Sequence, residues 1–277
     1  MRRSSWLGSL LWLLAAAPAP AVAADVLIID SHVHYSHDAW ANLPAKDAVA
    51  LLRKAGLKRA MVSSSSDEGT QRLAAEAPDL IAPELRPYRQ RGDLSTWMKD
   101  DSVIPYLEER LARYTYVAIG EFHLYGADVD LPVPRRMVEL AKKHGLVLHA
   151  HSDVDAIDRL FRQWPEALIL WAHSGFESPA KVREALRRHP NLRADLAIRT
   201  DVASNGTVDA EWRAAFLEFP DRFMVGTDTF TPERWYYIGE HAAWVRSWLP
   251  DLPPDVADRI ASKNAEALIA PGPAGRK

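Results

Sequence analysis

The chain has no cysteine in 277 residues. That excludes disulfides, thiolate nucleophiles, iron–sulfur clusters and a lipid-attachment cysteine. The fold must therefore be held by its core, and any metal by nitrogen and oxygen donors. Basic charge is not in surplus either: 34 Lys and Arg stand against 37 Asp and Glu, a net charge of −3. A partner made of nucleic acid or anionic lipid usually demands the opposite balance. There is no GxGxxG and no Walker sequence, so the phosphate loops of nucleotide-binding sheets have no candidate. No internal repeat stands out, and beyond the first two dozen residues no apolar run approaches the ~20 residues needed to span a bilayer.

What is present is ordinary for a folded globular protein, with 48% hydrophobic and 26% charged residues. Residues 1–24 read as a secretory signal peptide: Arg2 and Arg3, a short apolar stretch from Leu7 to Ala17, then small residues at Ala21, Ala23 and Ala24. Its removal takes two arginines and no acid, so the net charge falls from −3 to −5. The expectation is a secreted or periplasmic protein with no membrane attachment after cleavage and no nucleic-acid partner.

From there the chain alternates. Strands are expected at 26–29, 59–63, 80–88, 116–119, 146–151, 167–172, 192–198 and 223–226. Helices are expected at 45–55, 70–76, 103–114, 134–144, 154–164, 179–189, 211–219, 233–248 and 254–269, with Gly56 and Gly145 as stops. Eight strand–helix units without tandem hairpins point to a parallel sheet closed as a single-domain (β/α)8 TIM barrel over 25–270, followed by a disordered tail at 271–277.

Potential ligands gather where strands end. His32 and His34, two apart, share one face of the first strand; Glu121 and His123 end the fourth; His149 and His151 share a face of the fifth; His173 ends the sixth and Asp228 the eighth. Any one of these has an unremarkable alternative, as a turn residue or a satisfied polar group. Their joint placement at the C-terminal rim of a barrel, where such folds build active sites, points to a metal centre.

These residues resemble the amidohydrolase superfamily of metal-dependent hydrolases: Asp30-Ser31-His32-Val33-His34, His151, His173 in Ala-His-Ser-Gly, Asp228 in Val-Gly-Thr-Asp, and the closing Asn264-Ala265. The stretch around His173 is similar to the amidohydrolase-related branch, and Glu121 to the fourth-strand glutamate of the TatD-like branch. The resemblance implies a ligand set of His32, His34, Glu121, His151, His173 and Asp228. It would hold one or two divalent ions, two being favoured, with zinc first and manganese or iron(II) also admitted. His123 and His149 are expected beside the ligands, with His149 as the alternative to His151. Asp228 and His173 are the catalytic candidates, Asp228 as general base.

Arg86, Arg89 and Arg199 follow strand ends and are candidate anchors for an anionic group on a small-molecule substrate. The expected activity is hydrolysis of an amide, ester or lactone by a metal-activated water. The alternatives are a decarboxylase of the same superfamily, a TatD-like nuclease, and a catalytically silent metal-binding barrel.

Overall fold

In the computed structural model, residues 26–270 are described; the expected signal peptide and the tail at 271–277 lie outside them. Eight parallel strands run in sequence order round a ring: β1 (Ile28–Val33), β2 (Leu57–Val62), β3 (Ile81–Leu85), β4 (Ala118–His123), β5 (Val147–His151), β6 (Ile169–Trp171), β7 (Leu192–Asp195) and β8 (Phe223–Met224). No regular ladder joins β8 to β1. The gap is bridged by the Ser31 amide donating to the Val225 carbonyl at 2.8 Å and the Asp228 amide donating to the His32 carbonyl at 2.7 Å. This is the (β/α)8 barrel expected from the alternation.

The helices outside have one apolar face each. In Val154–Gln163 the buried residues are Ala156, Ile157, Leu160 and Phe161, and the Asp153 carboxylate caps the helix by accepting from the Ala156 amide. Pro132–His144 ends at Gly145, whose φ of 63° is the left-handed cap that favours glycine. The closing helix is interrupted: Pro254–Asp258 and Asn264–Ile269 are joined by a π-helical turn at Arg259–Lys263. Asn264 ties this segment to the barrel by donating to the carbonyls of Pro220 and Phe223.

Along a strand, every second residue faces the same way, so the barrel interior is layered. Ile29, Met61, Ala82, Ala118, Val147, Leu170 and Met224 form an apolar floor, closed from below by Ala265, Leu268 and Ile269. Two residues further along lie Glu84 on β3 and His149 on β5, both buried. Two further again lie Arg86, His151 and, after β8, Asp228 at the rim. At the middle position of the eighth segment there is room only for glycine: a Cβ on Gly226 would stand 2.9 Å from the His32 Cβ and 3.0 Å from the Ala197 Cβ.

Several strand ends differ from expectation: β1 and β4 run on to Val33 and His123, past the expected 29 and 119, and three others stop early. β3 stops at Leu85 and β7 at Asp195, because the chain leaves the ladder to build rim loops; Ile198 already has a φ of 61°. β8 pairs over two residues only. A small hairpin, Ala203–Ser204 with Thr207–Val208, turns on Asn205-Gly206 with both φ values positive. Asn-Gly is the signal for such a turn, and it went unread.

Candidate metal centre

The tautomers at the rim follow from their partners. His34 Nδ1 lies 2.9 Å from the Ser63 carbonyl and His173 Nδ1 lies 3.0 Å from the Ala197 carbonyl. A carbonyl only accepts, so both Nδ1 atoms carry hydrogen. His32 Nδ1 faces the Asp195 carboxylate at 3.1 Å and donates likewise. The three Nε2 atoms therefore turn lone pairs inward.

What they meet is also rich in acceptors. His32 Nε2 and His34 Nε2 are 3.1 Å apart. His34 Nε2 lies 3.2 Å from Glu121 Oε2 and 3.3 Å from Asp228 Oδ1. His32 Nε2 lies 3.6 Å from Glu121 Oε1 and 3.8 Å from Asp228 Oδ1. Asp228 Oδ1 is buried and has no hydrogen-bond partner. Without a cation among them, these lone pairs and carboxylates would repel one another in a buried site. Donors about 2.0–2.2 Å from a shared ion have separations of this size. On donor chemistry, spacing and the orphaned oxygen, the residues fit a divalent metal.

A second position adjoins the first. Glu121 turns its other oxygen, Oε1, to His151 Nδ1 at 2.8 Å and His173 Nε2 at 3.5 Å, while Asp228 Oδ2 is 3.8 Å from His173 Nε2. Glu121 and Asp228 thus each face both positions. All six residues of the expected ligand set converge here. His123 stands beside them with its ring stacked on His151 at 4.1 Å. Its Nδ1 is 3.1 Å from the Tyr88 hydroxyl, and burial together with the charges of His151 and Arg86 pushes it down to about 3, so it is neutral.

His149 is not at the rim. It sits one layer down, between Glu84 (Nδ1 to Oε2, 2.9 Å) and Asp195 (Nε2 to Oδ2, 3.3 Å). Burial alone would lower its pKa, but the two carboxylates raise it to about 9, so it is an imidazolium. Asp195 is the residue that the sequence reading missed. Its Oδ2 accepts from His32 and His149, and its Oδ1 from the amides of His173 and Ala197. Despite burial, the neighbouring imidazoles, His32 foremost, hold Asp195 well below the usual carboxylate range. The available signal was a carboxylate inside an apolar strand; Glu84 in Ile-Ala-Pro-Glu-Leu gave the same signal.

Of the three arginines offered as substrate anchors, Arg86 lines the cavity above these residues and Arg89 and Arg199 do not. Arg86 is buried and grips Glu121, with Nη2 on Oε2 at 2.7 Å and Nε on the Glu121 carbonyl at 3.0 Å. Its guanidinium lowers the pKa of His34, in addition to burial. Arg89 braces its own loop through Asp93, Asp100 and Ser102 and does not line the cavity. Arg199 also stays outside that cavity. It forks onto Asp201 and donates to the carbonyls of His173 and Glu177.

Those two carbonyls bracket an uncommon backbone. His173, Ser174, Gly175 and Phe176 have φ of 56°, 52°, 64° and 54°, a complete left-handed turn. L-residues pay roughly 1–2 kcal/mol each for that conformation. It is over-determined by the Arg199 clamp, by Ser174 Oγ donating to the Asp195 carbonyl, and by the His173 amide on Asp195. Gly175 has no alternative, since a Cβ there would lie 2.0 Å from the Trp171 ring. Asp228, with φ of 59°, is strained in the same way. Strain of this kind persists where a site requires it.

Above the cluster opens a cavity of about 290 Å³. Fold and site together define a (β/α)8 barrel whose rim carries a histidine–carboxylate cluster fit for a divalent metal. The amidohydrolase family model matches residues 29–270, and the chain belongs to that family. No protein of curated function matches the sequence. Among solved structures the chain is similar to an uncharacterized TIM-barrel protein from Bordetella bronchiseptica, at 15% identity and a TM-score of 0.59 over 88% of this chain and 98% of that one. It is also similar to an amidohydrolase from Burkholderia multivorans with bound HEPES, at 16% identity and a TM-score of 0.53 over 88% and 99%. A third is a probable 2-pyrone-4,6-dicarboxylic acid hydrolase from Acinetobacter baumannii with citric acid bound, at 12% identity and a TM-score of 0.54 over 87% and 98%. At these identities the likeness is one of fold.

Proposed function

We propose that this chain is a metal-dependent hydrolase of small amides, esters or lactones, exported by its N-terminal segment to act in the periplasm or outside the cell. The observation that carries the reading is the convergence of three imidazole lone pairs and two carboxylates, one with an orphaned oxygen, at the floor of a single small cavity. Relatives by fold include proteins named as hydrolases, one of them for a pyrone dicarboxylic acid. The cavity volume and the net charge of −5 without the leader oppose a nuclease.

His32, His34, Glu121 and Asp228 would hold one ion, and Glu121, His151 and His173 a second; zinc suits these donors best, manganese or iron(II) next. A bound divalent ion supplies Lewis acidity, polarising a carbonyl and acidifying a water. The chain's own residues do the rest. Asp228 would give Oδ1, buried and free of hydrogen bonds, to the ion, and its Oδ2 accepts the proton of the attacking water and returns it to the leaving group. His173 and His151 flank the reacting carbonyl. Arg86 fixes Glu121 by donating to its Oε2 and to its carbonyl.

The test begins with elemental analysis of protein purified without chelators, then an ester, lactone and amide panel. One to two divalent ions per chain and hydrolysis lost on chelation and restored by zinc are the expected result. Asp228→Asn should lower kcat by about 10²–10⁴-fold. Metal-stripped protein as active as the loaded form would overturn the proposal; carbon dioxide as product would assign the decarboxylase instead.

A further inference from the structure

The cavity has two unlike walls. One is polar, built from imidazoles and the Arg86–Glu121 pair. The other is apolar, built from Phe176, Ile198 and Phe230, with Leu94 at the mouth. Phe176, Phe230 and Leu94 are 53%, 46% and 38% exposed. Single exposed apolar residues need no explanation, but three meeting at one opening do.

The backbone holds Phe176 there at a cost. The left-handed turn brings it back onto His173, where the rings stack at 4.6 Å and 18°, and it lines the cavity while remaining exposed. The polar side chains that share this lining are Ser36, Ser65 and Arg91. Arg91 is already paired with Asp38 and with the Phe230 carbonyl, and Arg234, over the Phe230 ring at 5.3 Å, donates to the carbonyls of Thr227 and Asp228.

We propose that Phe176, backed by Phe230 and Leu94, is the specificity wall for a flat apolar group. The preferred substrates are then small esters, amides or lactones bearing one aromatic ring, or a hydrocarbon of similar shape, next to the scissile carbonyl. This rests on the hydrolase reading above. A cavity of about 290 Å³ lies at the low end of ligand pockets, ~300–1,000 Å³, which suits one ring and excludes a polymer.

The experiment is a calorimetric titration of the zinc-loaded protein with benzohydroxamate and acetohydroxamate, which share a metal-binding head and differ in the ring. Wild type should favour the aromatic probe by about tenfold. Phe176→Ala should bring the ratio below about threefold while the acetohydroxamate affinity holds. Phe230→Ala, which leaves the strained turn untouched, should also lower the ratio and serves if the first variant does not fold. Equal affinities in wild type, or a ratio unchanged in both variants, overturns the specificity wall and leaves the metal centre standing. Failure of both probes to bind protein that carries zinc overturns the wall and the site together, and failure to take up zinc, manganese or iron(II) overturns the hydrolase reading itself.

Discussion

At the scale of single residues, Asp195 orients the candidate metal ligand His32. All four of its accepting directions are taken, by His32, His149 and two backbone amides. Asn has one accepting atom, and its NH₂ would face two donors. Asp195→Asn should therefore turn or detach His32 and weaken zinc binding by about 10–100-fold, the usual effect of losing a residue that orients a ligand. Competition with a chromophoric chelator measures this directly; unchanged affinity would mean that His32 is held by packing alone. Arg86 shows the converse. A guanidinium that sequence reasoning offers to a substrate is engaged by a carboxylate of the same site, because a buried charge without a partner is costly.

At the scale of elements, the left-handed turn after β6 carries both a ligand and the apolar wall, and Arg199 is its clamp. The planar fork matches Asp201 while one remaining nitrogen reaches two carbonyls. Lysine offers a single point charge in place of that fork. Arg199→Lys should lower unfolding stability by about 1–3 kcal/mol, readable in urea denaturation. It should also loosen zinc binding through His173. A stable variant with normal zinc affinity would show that Ser174 and Gly175 suffice to hold the turn.

At the scale of the whole molecule, acid stability should reflect His241, carried by the helix Arg234–Trp248 that follows the eighth strand and its rim loop. Burial, with the nearby charge of Arg234, lowers its pKa to about 4, and its Nε2 has no partner. The folded value lies below the unfolded one of 6.5. The stability linked to His241 is thus fully present above pH 6.5 and is lost as pH falls toward 4, because only the unfolded chain takes up the proton. The loss is about 3 kcal/mol. His241→Gln should lack it, so the difference between wild type and variant in urea unfolding should shift by that amount from pH 7 to pH 4.5. Parallel curves would show that His241 is protonated in the fold.

Periodicity made the barrel legible in the sequence, and strand-end chemistry picked out side chains that the fold brings together. Alternation of strand and helix depends on local apolar spacing, and His32, His34, Glu121, His151, His173 and Asp228 stand at strand ends in a fold whose strand ends meet. The chain by itself also excluded thiolate ligands and a surplus of basic charge. Tertiary structure alone decided which arginine faces what, that His149 lies a layer below His151, and that Asp195 and Glu84 join the site from inside the barrel. It also decided that four residues after β6 run left-handed. Those outcomes depend on which groups lie across the barrel from one another and on how a buried charge finds its partner, and neither is written in the order of neighbours along the chain.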